Sequence, residues 1–468
     1  MPSSPFPRTA PAGAPSVSTA EIHGGWQAAG EETVRHLQKL IQTDTTNPPG
    51  NELALARYLE VVLSAEGIET HLFEPFRNRA AVVARIPGTG AARPVMLLAH
   101  MDVVGVERKH WSVDPFGGIV KDGYVYGRGA IDDKGMLAVN LMTMLLLQRR
   151  LAGGGDGPTR DIVFVATSDE EAGGEYGIEW LIDKHPELIQ CEFALNEGGR
   201  IRIVNGAPLY VAVQTSEKVS HLLTVTARGP AGHASVPLAG NAVLRLGRAL
   251  AAIGGHREPL VLLPTTRRFF EHLSRVWPDP AESRAMMDVV SDDPGREAGG
   301  ATALGSIPAF DAVLRTGISP TIVRGGATPN VIPGEAEAVL CVRTLPGEQL
   351  DATIRRLSDV VADENVEITT TARGEDSPVS DFGSPLFAAI EETAQEIFPG
   401  IVTVPYLSTG TTDSAHLRRH GVQAFGLLPF PLEPVDERRM HGHDERVPVS
   451  SLALGTRLVF ETVRRVSS

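Results

Sequence analysis

The stretch IVFVATSDEEAGG, residues 162–174, joins an apolar run directly to a cluster of acidic residues. The run from Ile162 to Ala166 predicts a strand buried on both faces, as in sheets covered by helices on both sides. The acidic residues follow at the strand end, where α/β sheets place their sites. Because neighbouring carboxylates repel one another, Asp169, Glu170 and Glu171 favour a bound cation here. A solvated acidic turn is the alternative.

Helices and short strands surround this stretch. Before it, apolar residues recur at helical spacing from Ser18 to Gln42, and Thr45 to Gly50 predicts a turn because it contains two prolines and a glycine. The other predicted helices are 52–65, 135–151, 241–253, 385–397 and 450–465, and the other predicted strands are 69–73, 80–86, 95–99, 221–228, 335–343 and 422–428. Strands separated by helices predict an α/β fold.

The pattern changes near Glu217, where alternating, half-exposed strands replace the fully apolar runs. We therefore predict one large α/β domain, formed by 17–216 and 378–468, that is interrupted by a smaller α+β domain at 217–377. Residues 1–16 are rich in Pro, Ser and Ala and predict a disordered tail. Within the smaller domain, 254–318 contains Pro-Asp-Pro and Gly-Gly breaks, which predict a long, loose insertion.

Composition excludes several classes of partner. The 468-residue chain has a formal net charge of -14, which disfavours nucleic acid and anionic membranes because both attract basic surfaces. It has two cysteines, no apolar run long enough to cross a membrane and no apolar segment typical of a secretion signal. We therefore expect a cytoplasmic protein that acts on a small molecule.

Two further segments place chemistry-bearing residues near predicted element ends. In LLAHMD, residues 97–102, His100 and Asp102 share one strand face, so Asp102 can orient the His100 ring; a purely structural histidine is the alternative. GRGAIDDKG, residues 127–135, superficially resembles a dinucleotide fingerprint, but Asp132 occupies the third glycine position and would repel pyrophosphate. Asp132 is therefore either a cation ligand or the N-cap of the next helix.

NEGG, residues 196–199, and HGHDE, residues 441–445, complete the set. Glu197 ends a short apolar run, and His441 lies in a loop rich in Pro and Arg. Each segment alone is more often surface than site. Taken together, the two histidines and three carboxylates suit two zinc ions, or cobalt or manganese with less selectivity. A carboxylate that bridges ions about 3.5–4 Å apart is the usual co-catalytic arrangement.

The ordered series AHMD, GRGAIDDKG, SDEEAGG, NEGG and HGHDE resembles the aminoacylase/carboxypeptidase G family of two-zinc metallopeptidases, and especially its carboxypeptidase S-like branch. The resemblance covers nearly the whole chain, from Thr45 to Val447. It implies a zinc-exopeptidase-like domain with a mixed sheet between helices, and a smaller lid and dimerisation domain. It also implies a ligand set in which Asp132 bridges two zinc ions, with His100 and Glu197 on one ion and Glu171 and His441 on the other.

The same resemblance implies catalytic roles. Glu170 matches the general base that deprotonates a metal-bridging water, Asp102 matches the partner of a zinc histidine, and the Asp132–Asp133 peptide bond is expected to be cis. In GHASVP, residues 232–237, His233 matches a histidine that stabilises the oxyanion in the partner's site of family dimers; a structural role is the alternative. The positions that match substrate-binding residues are Asn241, Asn330 and Arg343 in the lid and Gly410 and Thr411 in a loop of the large domain.

The predicted reaction is hydrolysis of an amide or peptide bond next to a free carboxylate, by a homodimeric carboxypeptidase or dipeptidase. An N-acyl-amino-acid amidohydrolase is the alternative, because its substrates also place a carboxylate beside the scissile amide. A non-catalytic metal-binding protein would be expected to lack a ligand or the base, and the sequence retains them all. No Gly-x-Ser-x-Gly elbow of a serine hydrolase and no His-Glu-x-x-His motif occurs.

Overall fold

The structure is a computed structural model that describes residues 24–468. These residues form two compact units. Unit 1 contains the described residues up to Thr215 together with Val379–Tyr406 and Thr412–Ser468, and unit 2 contains Ser216–Pro378 and Leu407–Thr411. The predicted tail at 1–16 and the start of the predicted first helix, 18–23, lie outside the described residues.

The strands and helices follow in chain order. The strands are β1 (Glu69–Phe76), β2 (Arg79–Ile86), β3 (Val95–His100), β4 (Ile119–Lys121), β5 (Tyr124–Tyr126), β6 (Ile162–Thr167), β7 (Phe193–Val204), β8 (Ala207–Glu217), β9 (Val219–Arg228), β10 (Gly232–His233), β11 (Gly317–Gly325), β12 (Val331–Ile332), β13 (Glu335–Thr344), β14 (Val366–Arg373), β15 (Val402–Ser408), β16 (Gln423–Leu432) and β17 (Arg446–Pro448). The helices are α1 (Gly24–Ile41), α2 (Leu53–Ala65), α3 (Lys134–Ala152), α4 (Ile178–Lys184), α5 (Pro186–Ile189), α6 (Ala242–Gly255), α7 (Pro264–Leu273), α8 (Pro280–Val289), α9 (Pro294–Leu304), α10 (Pro308–Leu314), α11 (Leu350–Val361), α12 (Pro385–Ile397), α13 (Ser414–Arg419), α14 (Pro434–Glu437) and α15 (Val449–Val466).

Unit 1 is built on an eight-stranded mixed sheet with the order β1-β2-β6-β3-β7-β16-β8-β15. β3 pairs in parallel with β6 and β7, whereas β2 pairs antiparallel with β1 and β6. Every residue of β3 and β6 is buried because helices pack on both faces of the sheet. Leu97 joins the core formed with α1, α2, α3, α12 and α15, and Leu98 joins the core formed with α4 and α13. The predicted α/β fold with a mixed sheet between helices is confirmed.

Unit 2 contains a four-stranded antiparallel sheet with the order β11-β13-β9-β14. Alternate residues of its strands, such as Leu223 and Leu340, pack with Leu246 of α6 and Leu357 of α11 in one core. This period of two is the pattern that a sheet with one covered face requires. A short pairing of β10 with β12 places Val331 opposite His233.

The predicted loose insertion at 254–318 is wrong, because the structure forms helices α7 to α10 there. The prolines that suggested breaks are first-turn residues. Asp279 and Asp293 accept hydrogen bonds from the backbone of the turns that begin at Pro280 and Pro294. Proline suits this position because its missing N–H has no intrahelical partner there. Buried aromatic rings pack these helices together, with Phe270 and Phe310 centroids 5.7 Å apart.

Within residues 24–468, no helix combines the length and the apolar character that crossing a membrane requires.

Candidate metal centre

The five predicted metal ligands lie in unit 1, at the ends of its strands or in loops beside them. His100 is the last residue of β3, and Glu171 lies in the turn after β6. Glu197 lies within β7, where Gly198 follows with a φ of 120° and a Cβ would meet the Gln214 side chain at 1.4 Å. The glycine that follows the glutamate is thus required by packing.

One group of ligand atoms joins His100, Asp132 and Glu197, and all three residues are buried. His100 Nε2 lies 2.9 Å from Asp132 Oδ1 and 3.9 Å from Glu197 Oε1. The other ring nitrogen, Nδ1, lies 2.9 Å from the backbone oxygen of Asp102. A proton on Nδ1 donated to that carbonyl leaves Nε2 facing the carboxylates, as a metal ligand requires.

A second group joins Asp132, Glu171 and His441. His441 Nε2 lies 3.0 Å from Asp132 Oδ2 and 3.3 Å from Glu171 Oε1. Asp132 therefore turns one carboxylate oxygen to each histidine. The Asp132–Asp133 peptide bond is cis, which confirms that expectation.

The electrostatics of the cluster fit a pair of cations. Burial, with the neighbouring Asp132 carboxylate, raises the pKa of Glu197 to about 8. Burial and the Glu197 carboxylate also raise the pKa of Glu170 well above its ordinary value. Burial opposes ionisation of Asp132 as well, but hydrogen bonds from His100 and His441 lower its pKa. Carboxylates crowded in this way need positive charge to stay ionised together, and two histidines with three carboxylates are a donor set for divalent ions.

Asp102 contacts the His100 ring and also supports the turn after β6. The Asp102 carboxylate lies 3.5 Å from His100 Nδ1, and the Asp102 backbone oxygen lies closer to the same nitrogen, at 2.9 Å. The carboxylate also accepts the backbone N–H groups of Glu170 and Glu171, each at 3.2 Å, and the Asn47 side chain at 2.9 Å. Asp102 therefore holds the turn that carries the predicted base and a predicted ligand.

A buried ion network continues behind this turn, and the sequence analysis assigned a role to Asp169 but not to its other members. Asn47 also donates to Asp169 at 3.1 Å, Arg79 lies 3.0 Å from Asp169, and Arg79 pairs with the buried Glu52 at 2.9 Å. Asp169 has a left-handed φ of 71°, which strains a non-glycine residue and needs such support. The available sequence signal was the Asn47-Pro48-Pro49 turn, which by itself indicates no contact with the acidic segment.

The predicted catalytic and substrate-binding residues outside this cluster all lie in unit 2. His233 Nδ1 contacts Ser235 Oγ at 2.7 Å and accepts the Ser235 backbone N–H at 3.2 Å. Asn241 caps α6 by accepting the Val243 N–H at 2.9 Å. Arg343 Nη1 donates to Thr411 Oγ1 at 2.9 Å. Gly410 donates to Ser408 Oγ at 3.2 Å, and Asn330 precedes β12.

Two of these placements differ from expectation. Gly410 and Thr411 were expected in the large domain, but the structure groups Leu407–Thr411 with unit 2. Asn241 uses its side-chain oxygen as a helix N-cap, a structural role common for asparagine, and its amide nitrogen remains a donor for a substrate.

Comparison with known proteins agrees with this geometry. The profile of peptidase family M20/M25/M40 matches residues 96–465. The chain is 30% identical to the probable carboxypeptidase S-like 2 of Dictyostelium discoideum over 375 residues, covering 77% of this chain and 69% of that protein. It is 25% identical to the N-fatty-acyl-amino acid synthase/hydrolase PM20D1 of Homo sapiens over 452 residues, covering 92% of this chain and 87% of that protein.

A solved structure shares the fold. The M20 family metallo-carboxypeptidase Sso-CP2 from Sulfolobus solfataricus aligns with a TM-score of 0.69 at 17% identity, covering 93% of this chain and 99% of that chain. The match to the peptidase family and the two candidate ligand groups indicate a metallohydrolase that acts on amide bonds. The chain belongs to peptidase family M20/M25/M40, whose members hydrolyse amide bonds.

Proposed function

We propose that this M20 hydrolase cleaves an amide or peptide bond next to a free carboxylate, using two ions held by His100, Asp132, Glu171, Glu197 and His441. The observation that carries the proposal is the position of Asp132. Its Oδ1 lies 2.9 Å from His100 Nε2, and its Oδ2 lies 3.0 Å from His441 Nε2. One carboxylate that serves two ligand groups is the plan of a two-ion site.

We propose zinc as the native metal, because borderline ligands such as imidazole combined with carboxylates suit it. Elemental analysis of the purified chain should find two zinc ions per subunit. A chelator should abolish hydrolysis, and zinc should restore it, with cobalt or manganese restoring part. Full hydrolysis by protein that holds less than one ion per subunit would contradict the proposal.

The chain's own residues would share the chemistry. Bound divalent ions would supply Lewis-acid polarisation of the substrate carbonyl and would acidify a coordinated water. Glu170 takes the proton of the attacking water on its carboxylate and returns it to the leaving nitrogen. Its position is held by Asp102, which accepts its peptide N–H at 3.2 Å.

His233 would stabilise the oxyanion as a hydrogen-bond donor. The Ser235 backbone N–H donates to Nδ1, so Nδ1 is unprotonated and the ring proton of the neutral form resides on Nε2. Nε2–H is therefore the donor available to a substrate oxygen. Donors of this kind contribute about 2.7–4 kcal/mol to the transition state.

Two substrate classes fit the proposal. Peptides trimmed at a free carboxylate agree with the carboxypeptidase S-like relative, and N-acyl amino acids agree with the N-fatty-acyl-amino acid relative. In both, Arg343, which is held by Thr411, is the proposed partner of the substrate carboxylate. The kcat/KM values for dipeptides, N-acetyl amino acids and long-chain N-acyl amino acids should rank the two classes. Amide analogues without the carboxylate should be poor substrates, and equal hydrolysis of acids and amides would contradict the carboxylate requirement.

We also propose that unit 2 forms a homodimer. β11 is an edge strand of its sheet, and its residues Ile322 and Val323 are 42% and 63% exposed. Val243 and Leu244 of α6 are also exposed, and a Cβ on Gly325 at the end of β11 would lie 3.2 Å from Val243. An unpaired strand edge beside apolar side chains favours pairing with a second copy.

A mixed dimer tests whether His233 acts on the partner's site. Glu170→Gln and His233→Ala homodimers should each be nearly inactive. Dimers that carry one subunit of each kind contain one site with both wild-type residues if the histidine acts across the interface, and should recover part of the activity. A mixture with no more activity than its two parents would contradict action across the dimer.

A cytoplasmic location is also part of this proposal. Cys191 and Cys341 are both free, and free thiols persist in a reducing compartment. Fractionation of cells that make the tagged chain should recover it with cytosolic markers. Recovery from the culture medium would contradict this location.

A further inference from the structure

Two loops that carry proposed metal ligands meet at one buried ion pair. Arg128 lies four residues before Asp132 and is 2% exposed, and Glu445 lies four residues after His441 and is 0% exposed. Arg128 Nη1 donates to Glu445 Oε2 at 2.5 Å. The pairing of β5 with β17 runs next to this pair, and the Gly127 N–H donates to the Glu445 backbone oxygen at 2.9 Å.

The Glu445 carboxylate also holds the backbone of the Asp132 loop. It accepts the N–H groups of Gly129 at 3.2 Å, Ile131 at 2.7 Å and Asp132 at 3.1 Å. Three backbone hydrogen bonds to one buried carboxylate leave the loop little freedom to move. One of the three N–H groups belongs to Asp132, whose two carboxylate oxygens each face one histidine.

Arg128 reaches in the opposite direction, to the His441 loop. Its Nη2 donates at 2.9 Å to the backbone oxygen of Gly442, the residue directly after His441. Its guanidinium also lies over the Trp111 ring, 5.4 Å from the centroid, which fixes the plane of the fork. Arg128 and Glu445 therefore connect the two loops by contacts at both ends.

His441 depends on such support more than His100 does. His100 is 1% exposed and belongs to a strand that is paired on both sides, so the sheet itself positions its side chain. The His441 side chain is 50% exposed, and its φ of 57° lies in the left-handed region, which costs free energy for a non-glycine residue. A loop residue in that conformation keeps its place only if its neighbours hold it.

We propose that Arg128 and Glu445 are positioning residues that set the separation of Asp132 and His441, and thereby the affinity of the ion that Asp132, Glu171 and His441 share. The inference rests on the proposed two-ion site. It adds that the affinities of the two ions depend unequally on the Arg128–Glu445 pair. Loosening the pair weakens the ion at His441. The ion at His100 keeps two ligands, His100 and Glu197, that are placed by strands of the sheet.

The experiment is a zinc titration of the metal-free, full-length Glu445→Gln variant that resolves two dissociation constants. One constant should rise about 10- to 100-fold, the usual effect of losing a residue that supports metal ligands. The other should rise by a smaller factor, because that ion shares Asp132 but keeps His100 and Glu197. Arg128→Lys is the second variant, because it keeps the charge but cannot contact Glu445 and Gly442 together, and it should give the same unequal pattern.

Glu192→Gln is the matched control. It breaks an ion pair of unit 1 with the buried Arg160, at 2.8 Å, and Glu192 lies directly before β7, outside both ligand groups. It should lower the melting temperature of the metal-free chain and leave both zinc constants unchanged. A purely structural role for Glu445 would make its variant behave in the same way.

The outcomes separate this inference from the proposed function. If both constants change equally, or neither changes, in Glu445→Gln and Arg128→Lys while the wild-type chain binds two zinc ions and hydrolyses amides, only the positioning role is overturned. If the wild-type chain itself fails to bind two ions, the proposed two-ion function fails. The inference is supported if Glu445→Gln and Arg128→Lys both weaken binding of one zinc ion, and if His441→Ala weakens binding of the same ion.

Discussion

Unit 1 and unit 2 differ in the kind of side chain that each leaves in an unfavourable environment. Unit 1 buries charged residues within its sheet and in the adjacent loops, among them Asp102, Asp132 and Glu197. Unit 2 exposes apolar residues along an edge strand and a helix, among them Val323 and Leu244. Buried charge is kept where ions or hydrogen bonds offset it, and exposed apolar surface is kept where another molecule covers it. This comparison supports the proposals that metal chemistry belongs to unit 1 and that association uses unit 2.

Substitution of the proposed base should have the largest effect and should be confined to turnover. Glu170→Gln removes the proton acceptor but none of the five ligands, so kcat should fall about 10²–10⁴-fold, the range for loss of a general base, while zinc content stays at the wild-type value. Glu175→Gln, an exposed acidic residue of the same segment, is the control and should keep full activity. Substantial turnover in Glu170→Gln would remove the base assignment.

Substitution of one histidine should weaken one of the two ligand groups of unit 1 more than the other. His441→Ala leaves Asp132 and Glu171 without their nitrogen ligand, so one of two zinc ions should bind more weakly, by about 10- to 100-fold or more. His443→Ala is the matched control, because His443 is exposed in the same loop and its ring lies against His110. Calorimetric titration with zinc measures the affinities of both variants. Retention of two tight sites in His441→Ala would contradict the ligand group of Asp132, Glu171 and His441.

Charges on the apolar edge of unit 2 should separate association from metal binding. The double variant Leu244→Lys with Val323→Lys brings like charges together at a symmetric interface, and the dimer dissociation constant should rise roughly tenfold or more. Sedimentation measures the assembly, and zinc content should not change. Val61→Lys, on an equally exposed valine of α2, is the control. An unchanged assembly in the double variant would place the interface elsewhere.

A helix cap in unit 2 should give the smallest effect. Asp279 accepts the N–H groups of Ala281 and Glu282 at the start of α8, so Asp279→Ala should destabilise the chain by about 1 kcal/mol. Asp292→Ala, an exposed aspartate that does not cap a helix, should leave the free energy of unfolding unchanged. Equal effects of the two variants in denaturant titrations would argue against the observed helix at 280–289.

Much of unit 1 could be predicted because its pattern is local. The apolar runs that became β3 and β6 and the acidic residues that follow them occur within a few positions of one another. The helical insertion of unit 2 could not be predicted in the same way. Pro280 and Pro294 look like breaks in a one-dimensional pattern and serve as first-turn residues once Asp279 and Asp293 cap the helices. Whether a proline interrupts a helix or occupies its first turn depends on the conformation of the backbone around it.

The sequence by itself determined the class of fold and the inventory of ligands, because periodicity and strand-end chemistry are properties of short segments. Only the tertiary structure decided which atoms meet. It placed one Asp132 oxygen toward each histidine, brought the Glu170 turn to the Asp102 carboxylate, and joined Arg128 to Glu445 across 317 positions. Contacts between residues so far apart follow from the packing of the whole unit, and no spacing in the sequence encodes them.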